Sequence, residues 1–451
     1  MSRNYYVLSN GRVQRESNTL SIINESGVKK PIPVEDVESL YLYGEVDINT
    51  KLLNFLSQKR ITLHVFNYYG FYSGSFYPRE YLNSGYLLVK QVERYGNAAR
   101  RLDLVKELVR GSAHSILRNV AYYSRRRTSD VGSGKREEWG AEDDPEGEIG
   151  APTTPTNTGV PTDESAEAAV DDGLTLAALE GAREGVGEGE KATTPKTSEA
   201  NTGSSPNTSE ANTGPRGELA TATIPNTQYP IPDLDPLVCA VDLEAANATP
   251  LDQLLQTIRS IVPLIETQAD VNSLRGVEGK IRERYYQSWR HILAEGFYFT
   301  QRVRRPPDNE VNALISFGNS MLYTVCLSEI YRTQLTPTIS YLHEPGVRRF
   351  SLALDLSEIF KPLIVDRAIF RLINTGQIKP EHFDRTLDGC YLSDAGKKLY
   401  LSELETRLAT TIKHRRLGRH VSYRHLIRLE CYKLIRDLTG VEEYRAFRAW
   451  W

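Results

Sequence analysis

The chain has 451 residues, a formal net charge of −3 and 40% hydrophobic residues, which is enough for two or three folded domains. Its four cysteines lie far apart and form no C-x-x-C pair, which argues against a zinc ribbon and against a disulfide framework. The N-terminal residues contain no apolar signal segment, so we expect a cytoplasmic protein with reduced, mostly buried thiols.

The small net charge conceals an uneven distribution. Residues 130–230 hold 20 acidic and 6 basic side chains, a net of −14, so the rest of the chain carries +11. A surplus of clustered cations favours a polyanionic partner such as nucleic acid. The alternative is ordinary solubilising charge.

Residues 1–80 predict a small β-sheet domain. The pattern places strands at 5–8, 12–14, 19–23, 37–42, 61–66 and 71–77. The pair Asn10-Gly11, between the first two strands, is typical of a hairpin turn. Residues 50–58 have apolar side chains at helical spacing and predict the one helix of this domain.

From about Tyr86 the hydrophobic period changes to 3.6 residues. Residues 97–123 place Leu102, Val105, Leu108 and Val120 on one face, with arginines on the others. We assign residues 86–128 to the first part of a C-terminal helical domain.

Residues 129–236 are acidic, rich in Gly, Pro, Thr, Asn and Ser, and poor in large apolar side chains. Such a segment cannot bury enough surface to offset the entropy of ordering the chain. A nine-residue unit at 195–203 recurs almost unchanged at 206–214, and each copy contains Pro and Gly. We predict a disordered, low-complexity insertion within the helical domain.

Helical periodicity returns after the insertion, and residues 237–451 form the rest of the helical domain. Helices are predicted at 254–265, 271–294, 311–334, 351–360, 364–374 and 422–438, with no β pattern of similar strength. Residues 311–328 lack charges, but their polar side chains favour a buried helix over a membrane span. The predicted fold is therefore α+β and multidomain, with a β domain and an interrupted all-α domain.

Glu278, His343 and Glu358 form the most informative constellation, with Asp355 one helical turn before Glu358. An acid within a run of Leu and Ala is costly to bury unless a cation compensates it. Two carboxylates and an imidazole suit Mg²⁺ or Mn²⁺, and the turn after His343 can return the imidazole to the start of the helix that carries Asp355. Together with a basic surface, these residues favour phosphodiester chemistry on nucleic acid.

Each of these residues also has a purely structural interpretation. Glu278 could form a helix ion pair with Arg275 or Arg282, and Asp355 could pair with Arg348 or Arg349. His343 could be a hydrogen-bonded histidine of the core. The spacing alone leaves these alternatives open.

A second basic cluster lies near the C-terminus. Arg415, Arg416, Arg419 and Arg424 are interpreted as cations that contact the DNA backbone, the alternative being a solvated or dimer surface. The nearby sequence 425–428 begins with His and ends with Arg, as in tyrosine recombinases. Tyr432 follows too closely for that family, so a recombinase site is disfavoured.

Several segments together resemble the CRISPR-associated endonuclease/integrase family called Cas-one, of a type I system. The similar segments are 37–44, 46–50, 56–61, 71–78, 274–279, 312–318, 351–362, 365–366 and 424–434, with the aromatic pair Trp450-Trp451. The resemblance covers the chain except for about 130–245. The insertion is the clear departure from the family.

The resemblance implies metal-ligating, catalytic roles for Glu278, His343 and Glu358, with Asp355 as a supporting acid. It implies Mg²⁺ or Mn²⁺ as cofactor, double-stranded DNA as substrate and a homodimer formed through the β domains. It also implies a heterohexamer with the small Cas-two protein, and insertion of short foreign DNA fragments into a CRISPR array by attack of a 3′-hydroxyl on a phosphodiester.

Two other functional classes fit the residues. A stand-alone metal-dependent nuclease acting on branched or damaged DNA would cut without joining. A non-catalytic DNA-binding scaffold would bind with a steep salt dependence and without regard to metal.

Overall fold

The computed structural model describes residues 3–78, 82–133, 248–346 and 350–449. The predicted insertion at 129–236 and Cys239 lie almost entirely outside these ranges, so the predicted disorder and the domain boundaries stay predictions. The other three cysteines are buried and free, as expected.

Two four-stranded sheets form the β domain. Within residues 3–78 the strands are β1 (Arg3–Val7), β2 (Gly11–Glu16), β3 (Thr19–Asn24), β4 (Lys29–Pro33), β5 (Val37–Leu42), β6 (Val46–Asp47), β7 (Thr62–Phe66) and β8 (Tyr72–Phe76). One sheet has the order β1-β5-β7-β8 and the other β4-β3-β2-β6. All six predicted strands are present; β4 and β6 were not predicted.

The chain crosses from one sheet to the other at Asn10-Gly11, so the predicted hairpin at this pair is wrong. β1 pairs in parallel with β5, whereas β2 pairs with β3 and β6. Gly11 has φ +144°, and a Cβ there would lie 2.1 Å from the carbonyl oxygen of Ile23. The glycine is therefore required for close strand approach and an unusual backbone angle rather than for a two-residue turn.

The predicted helix of the β domain is confirmed as α1 (Thr50–Gln58). The Asn49 side chain caps it by accepting a 2.9 Å hydrogen bond from the Leu52 amide. One face of α1 joins both sheets in a shared apolar core, which contains Val13, Leu20, Leu40, Leu52, Phe55 and Leu63. The two sheets and α1 thus pack around one core and form a single domain.

The helical domain is confirmed. Within the described residues its helices are α2 (Gly85–Gly96), α3 (Ala98–Ser133), α4 (Pro250–Ile261), α5 (Leu264–Thr267), α6 (Val271–Ile292), α7 (Glu310–Tyr331), α8 (Ser351–Lys361), α9 (Arg367–Asn374), α10 (Asp394–Ala409) and α11 (Tyr423–Leu438). A wide turn at Pro362–Asp366 joins α8 to α9. The helix predicted at 254–265 is divided at Pro263, and α10 was not predicted.

The helical domain is not all-α, which corrects the sequence prediction. Two short hairpins lie within it, one of β9 (Phe383–Thr386) and β10 (Gly389–Leu392), the other of β11 (Thr411–Lys413) and β12 (His420–Ser422). Strands of three or four residues are too short to show a period of two above the surrounding helical pattern.

Helix α7 runs through the core. Among the described residues it alone is long and apolar enough to cross a membrane, but 78% of its most apolar window is buried inside the protein. The prediction of a buried helix is therefore confirmed.

The β domain is joined to the helices by an ion-pair network. Glu38 of β5 binds Arg332, at the end of α7, and Arg424 of α11. Arg424 also binds Glu405 of α10 at 2.8 Å, and Glu405 accepts a 3.0 Å hydrogen bond from Asn4 of β1. Burial raises the pKa of Glu38, but the two arginines outweigh it and lower the pKa to about 2.

We expect Glu38→Gln to lower the free energy of unfolding by about 3 kcal/mol near pH 7, the equivalent of this pKa displacement. Because the pKa of folded Glu38 lies below its ordinary value of 4.5, its contribution is present above that pH and is lost as the pH falls toward 2. Urea unfolding of both proteins from pH 7 to pH 3.5 measures this.

The exposed, weakly paired Glu35 supplies the control, as Glu35→Gln. A stability difference between wild type and Glu38→Gln that stays constant with pH would contradict the assigned role of Glu38.

Candidate active site

Two helices and one loop bring the predicted site residues together. Glu278 lies on α6, Asp355 and Glu358 lie one turn apart on α8, and His343 lies in the loop that precedes α8. Residues 347–349 of this loop lie outside the described residues, and with them the alternative pairing of Asp355 with Arg348 or Arg349.

Asp355 is fully buried and organises the His343 loop. Its carboxylate accepts hydrogen bonds from the backbone amides of Tyr341, Leu342 and His343 at 2.6–3.0 Å. It also accepts one from Nδ1 of the His343 ring at 2.8 Å. A carboxylate can only accept, so Nδ1 carries the proton and Nε2 keeps its lone pair. The structure thus returns the imidazole to α8, with Nε2 available as a ligand.

Glu278 and Glu358 share one cation, Arg282. The Arg282 Nε lies 3.1 Å from Oε1 of Glu278, and its Nη2 contacts Oε2 of Glu358. The other oxygen of Glu358 contacts Lys361 Nζ. The guanidinium therefore lies between the two carboxylates predicted to hold a metal, and both oxygens of Glu358 already have a cationic partner.

The electrostatics of the site follow from these contacts. Burial raises the pKa of Glu358, but Lys361 and Arg282 outweigh it and lower the pKa to about 2. His343 is a smaller contributor in the same direction, which places the ring within electrostatic range of Glu358. Asp366, at the end of the wide turn after α8, is also buried, and here burial outweighs the nearby Arg282 and Lys361 and raises the pKa to about 7.

The helix ion pair of Glu278 with Arg282 is present, and that with Arg275 is not. Arg275 instead binds the His343 loop, through the Leu342 carbonyl at 2.7 Å and Glu344 at 3.1 Å. Among residues 3–78, 82–133, 248–346 and 350–449, no three His, Cys, Asp or Glu side chains form a preassembled metal cluster. The acids are instead neutralised by cations of the chain itself.

Arg424 corrects the prediction of DNA-contacting cations. It is largely shielded from solvent and bound to Glu38 and Glu405, so it joins the β domain to the helices. Arg415, Arg416 and Arg419 are exposed in the turn between β11 and β12, where Arg416 contacts Glu442 at 2.8 Å. Arg428 of the recombinase-like sequence binds the buried Glu329 at 2.7 Å, which fits a structural role.

Sequence reasoning treated Arg282 only as a structural alternative and did not identify Lys361 or Asp366. Arg282 follows Glu278 by four residues, and Lys361 follows Glu358 by three, so each pair shares a helix face. That spacing was the sequence signal that could have indicated both ion pairs. The bridge from Arg282 to Glu358 spans 76 residues and has no sequence signature.

We expect Asp355→Asn to release the His343 loop. The Asn side chain has no charge, and its N–H group would face backbone amides that need an acceptor. Hydrogen bonds to a charged group contribute about 1.5–3 kcal/mol each. Hydrogen exchange at the amides of 341–343 should therefore accelerate by about a hundredfold, whereas exchange in α6 should not change. Asp394→Asn, at an exposed helix start, is the control. Equal protection of the loop in all three proteins would contradict this role.

Comparisons with known proteins agree with this fold. The family model described as CRISPR associated protein Cas1 matches residues 5–140 and 240–406. A curated relative, CRISPR-associated endonuclease Cas1 3 of Thermodesulfovibrio yellowstonii, is 37% identical, with both chains covered completely.

Three solved structures share the fold. A CAS1 protein from Thermotoga maritima has a TM-score of 0.62 at 31% identity, covering 99% of this chain and 100% of that one. A casposase bound to integration product has a TM-score of 0.65 at 15% identity, covering 99% and 93%. A Cas6-RT-Cas1–Cas2 complex has a TM-score of 0.63 at 14% identity, covering 100% and 36%. Taken with the family model and the curated relative, the first of these shows that the chain belongs to the CRISPR-associated Cas1 family.

Proposed function

We propose that this chain is a metal-dependent DNA endonuclease and integrase that inserts short foreign DNA fragments into a CRISPR array. The observation that carries the proposal is the position of Glu278 and Glu358 on either side of one cation, beside the His343 ring. Family membership supports it, since the relative from Thermodesulfovibrio yellowstonii is named an endonuclease. A casposase of the same fold is bound to an integration product.

The donor set fits Mg²⁺ or Mn²⁺. Glu278 and Glu358 offer carboxylate oxygens, and His343 offers Nε2 because Asp355 holds the other ring nitrogen. Arg282 lies between the two acids, and a positive charge at this point supports the proposal of a cation site. When bound, the metal would polarise the scissile phosphate and stabilise the leaving oxygen.

The chain's own residues would do the remaining work. Asp355 accepts the Nδ1 hydrogen bond of the His343 ring, which leaves Nε2 as the ligand atom of the neutral tautomer, and fixes the orientation of the ring against α8. Lys361 lies beside Glu358 and would hold a non-bridging oxygen of the phosphate, which is the role of cations in phosphoryl transfer. A 3′-hydroxyl attacking in line gives joining, and water in its place gives cleavage.

The partners proposed for the chain are double-stranded DNA, a second copy of the chain bound through the β domains, and the small Cas2 protein. A Cas1 fold in a Cas6-RT-Cas1–Cas2 complex supports the last of these. Two dimers flanking a central Cas2 dimer would form a heterohexamer. Arg415, Arg416 and Arg419 would contact the DNA backbone from the turn between β11 and β12.

We expect Glu278→Gln to abolish joining and cleavage while DNA binding persists, because the variant loses one metal-binding carboxylate but no surface cation. The full chain is incubated with Mn²⁺, a supercoiled plasmid carrying a CRISPR repeat, and a labelled duplex with free 3′-hydroxyls, with and without Cas2. Integration is measured as label joined to the plasmid by the wild type, and no label should be joined when EDTA is present from the start.

Glu283→Gln is the matched control, since Glu283 is exposed and lies five residues after Glu278 on the same helix. Joining that survives Glu278→Gln would disprove the site assignment. Cleavage without joining, even with Cas2, would establish a stand-alone nuclease. Salt-sensitive binding without either activity, with or without metal, would establish a scaffold.

Replacing Arg415, Arg416 and Arg419 together with alanine should weaken DNA binding without lowering the melting temperature, because all three are exposed. Each lost phosphate contact reduces the slope of log K against log salt by about 0.9, so a reduction of up to about 3 is expected. Fluorescence anisotropy from 50 to 300 mM salt measures it, with Arg259→Ala on α4 as control. An unchanged slope would exclude this turn from the DNA interface.

A further inference from the structure

The position of Arg282 sets a condition on metal binding. Both oxygens of Glu358 are engaged, one by Arg282 and the other by Lys361, and Arg282 also contacts Glu278. Each oxygen keeps a second lone pair, but a metal ion that used it would lie against the Arg282 guanidinium or the Lys361 ammonium. Arg282 is also the cation that would come closest to a metal held by both acids.

The charges lead to the same conclusion. Glu278 and Glu358 carry two negative charges, and Arg282 and Lys361 supply two positive charges, so the group is neutral without metal. A divalent ion would leave an excess of two positive charges in a largely buried space, where charges interact more strongly than in water. Metal binding therefore favours a movement of Arg282 away from the two acids.

An acceptor for the guanidinium lies close by. Asp366 is 3% exposed, and its Oδ2 has no hydrogen-bond partner among the residues the structure describes. A buried carboxylate oxygen without a hydrogen-bond partner lowers the stability of the protein, and a cation that reached it would remove that penalty. Arg282 and Asp366 each shift the pKa of the other, so the two groups lie within electrostatic range.

We propose that Arg282 is an exchangeable counter-cation: Glu278 and Glu358 hold it in the metal-free protein, and Asp366 receives it when a metal occupies the two acids. This inference rests on the proposed function. Without metal, the guanidinium prevents the two acids from repelling each other. With metal, the ion pair with Asp366 stabilises the metal-bound form, and Asp366 is a positioning residue for that state.

The test measures Mn²⁺ affinity rather than activity. Calorimetric titration of the full chain compares wild type, Arg282→Gln, Asp366→Asn and the double variant. Removing the competing cation should tighten Mn²⁺ binding at least tenfold, or about 1.4 kcal/mol. Removing its alternative acceptor should weaken binding about fivefold. In the Arg282→Gln background, Asp366→Asn should change the affinity less than twofold, since no guanidinium remains to be received.

Arg284→Gln is the control for the loss of one positive charge on α6, because Arg284 contacts Gln287 at 2.9 Å instead of the two acids. If Arg282→Gln does not fold, Arg282→Lys replaces it. A lysine supplies a single ammonium that cannot bridge the two acids, so tighter binding is still expected.

The outcomes separate the inference from the proposed function. Equal Mn²⁺ affinity in Arg282→Gln and Arg284→Gln, with wild type binding the metal, would overturn the exchange while leaving the metal site intact. An Asp366→Asn effect that persists in the double variant would overturn Asp366 as the acceptor. Absence of Mn²⁺ binding from every protein, with DNA present or absent, would overturn the proposed metal site and the inference with it.

Discussion

The carboxylate of Asp355 is fully buried, and burying a charged acid is unfavourable unless hydrogen bonds satisfy it. Three successive backbone amides and one imidazole nitrogen do so. This requirement fixes the path of the loop, the orientation of the His343 ring and its tautomer in a single contact set. Because Glu358 lies one turn further along the same helix, the position of the ring relative to that acid is fixed as well.

The same constraint governs buried acids throughout the described residues. Glu107 of α3 is 3% exposed and binds Arg110, the Arg445 side chain and the Ala446 amide, so it anchors the C-terminal segment to α3. Glu38 joins the β domain to α7 and α11 in a comparable way. Many cations of the folded part are therefore internal partners of acids. The net charge of +11 outside residues 130–230 overstates the positive surface available to DNA.

Local patterns predicted what depends on local physics. The strands with alternating side chains and the long amphipathic helices are present, because their periods are set by the geometry of the element itself. The strand β4 was missed since it contains two prolines, and proline lacks the donor that an inner strand needs; β4 lies at a sheet edge, where this costs nothing.

Contacts between residues far apart in the chain could not be predicted from the sequence. Arg424 belongs by sequence to a basic run that suggests DNA contact, yet it is paired with Glu38, 386 residues away. At Asn10-Gly11 the composition of the turn was identified but its purpose was not, because the sequence does not show which sheet the next strand joins. In each case the local signal was real, and the partner that decides its meaning lies elsewhere in the chain.

Glu278 illustrates why a structural and a functional interpretation of one residue need not exclude each other. The sequence offers a helix ion pair with Arg282 or a metal ligand, and the structure contains the ion pair. Two acids held close together without metal repel each other, and a cation of the chain between them removes that repulsion. The contacts of Arg282 with Glu278 and Glu358 thus stabilise the two acids in the metal-free protein, and under the proposed function the same guanidinium would compete with the metal.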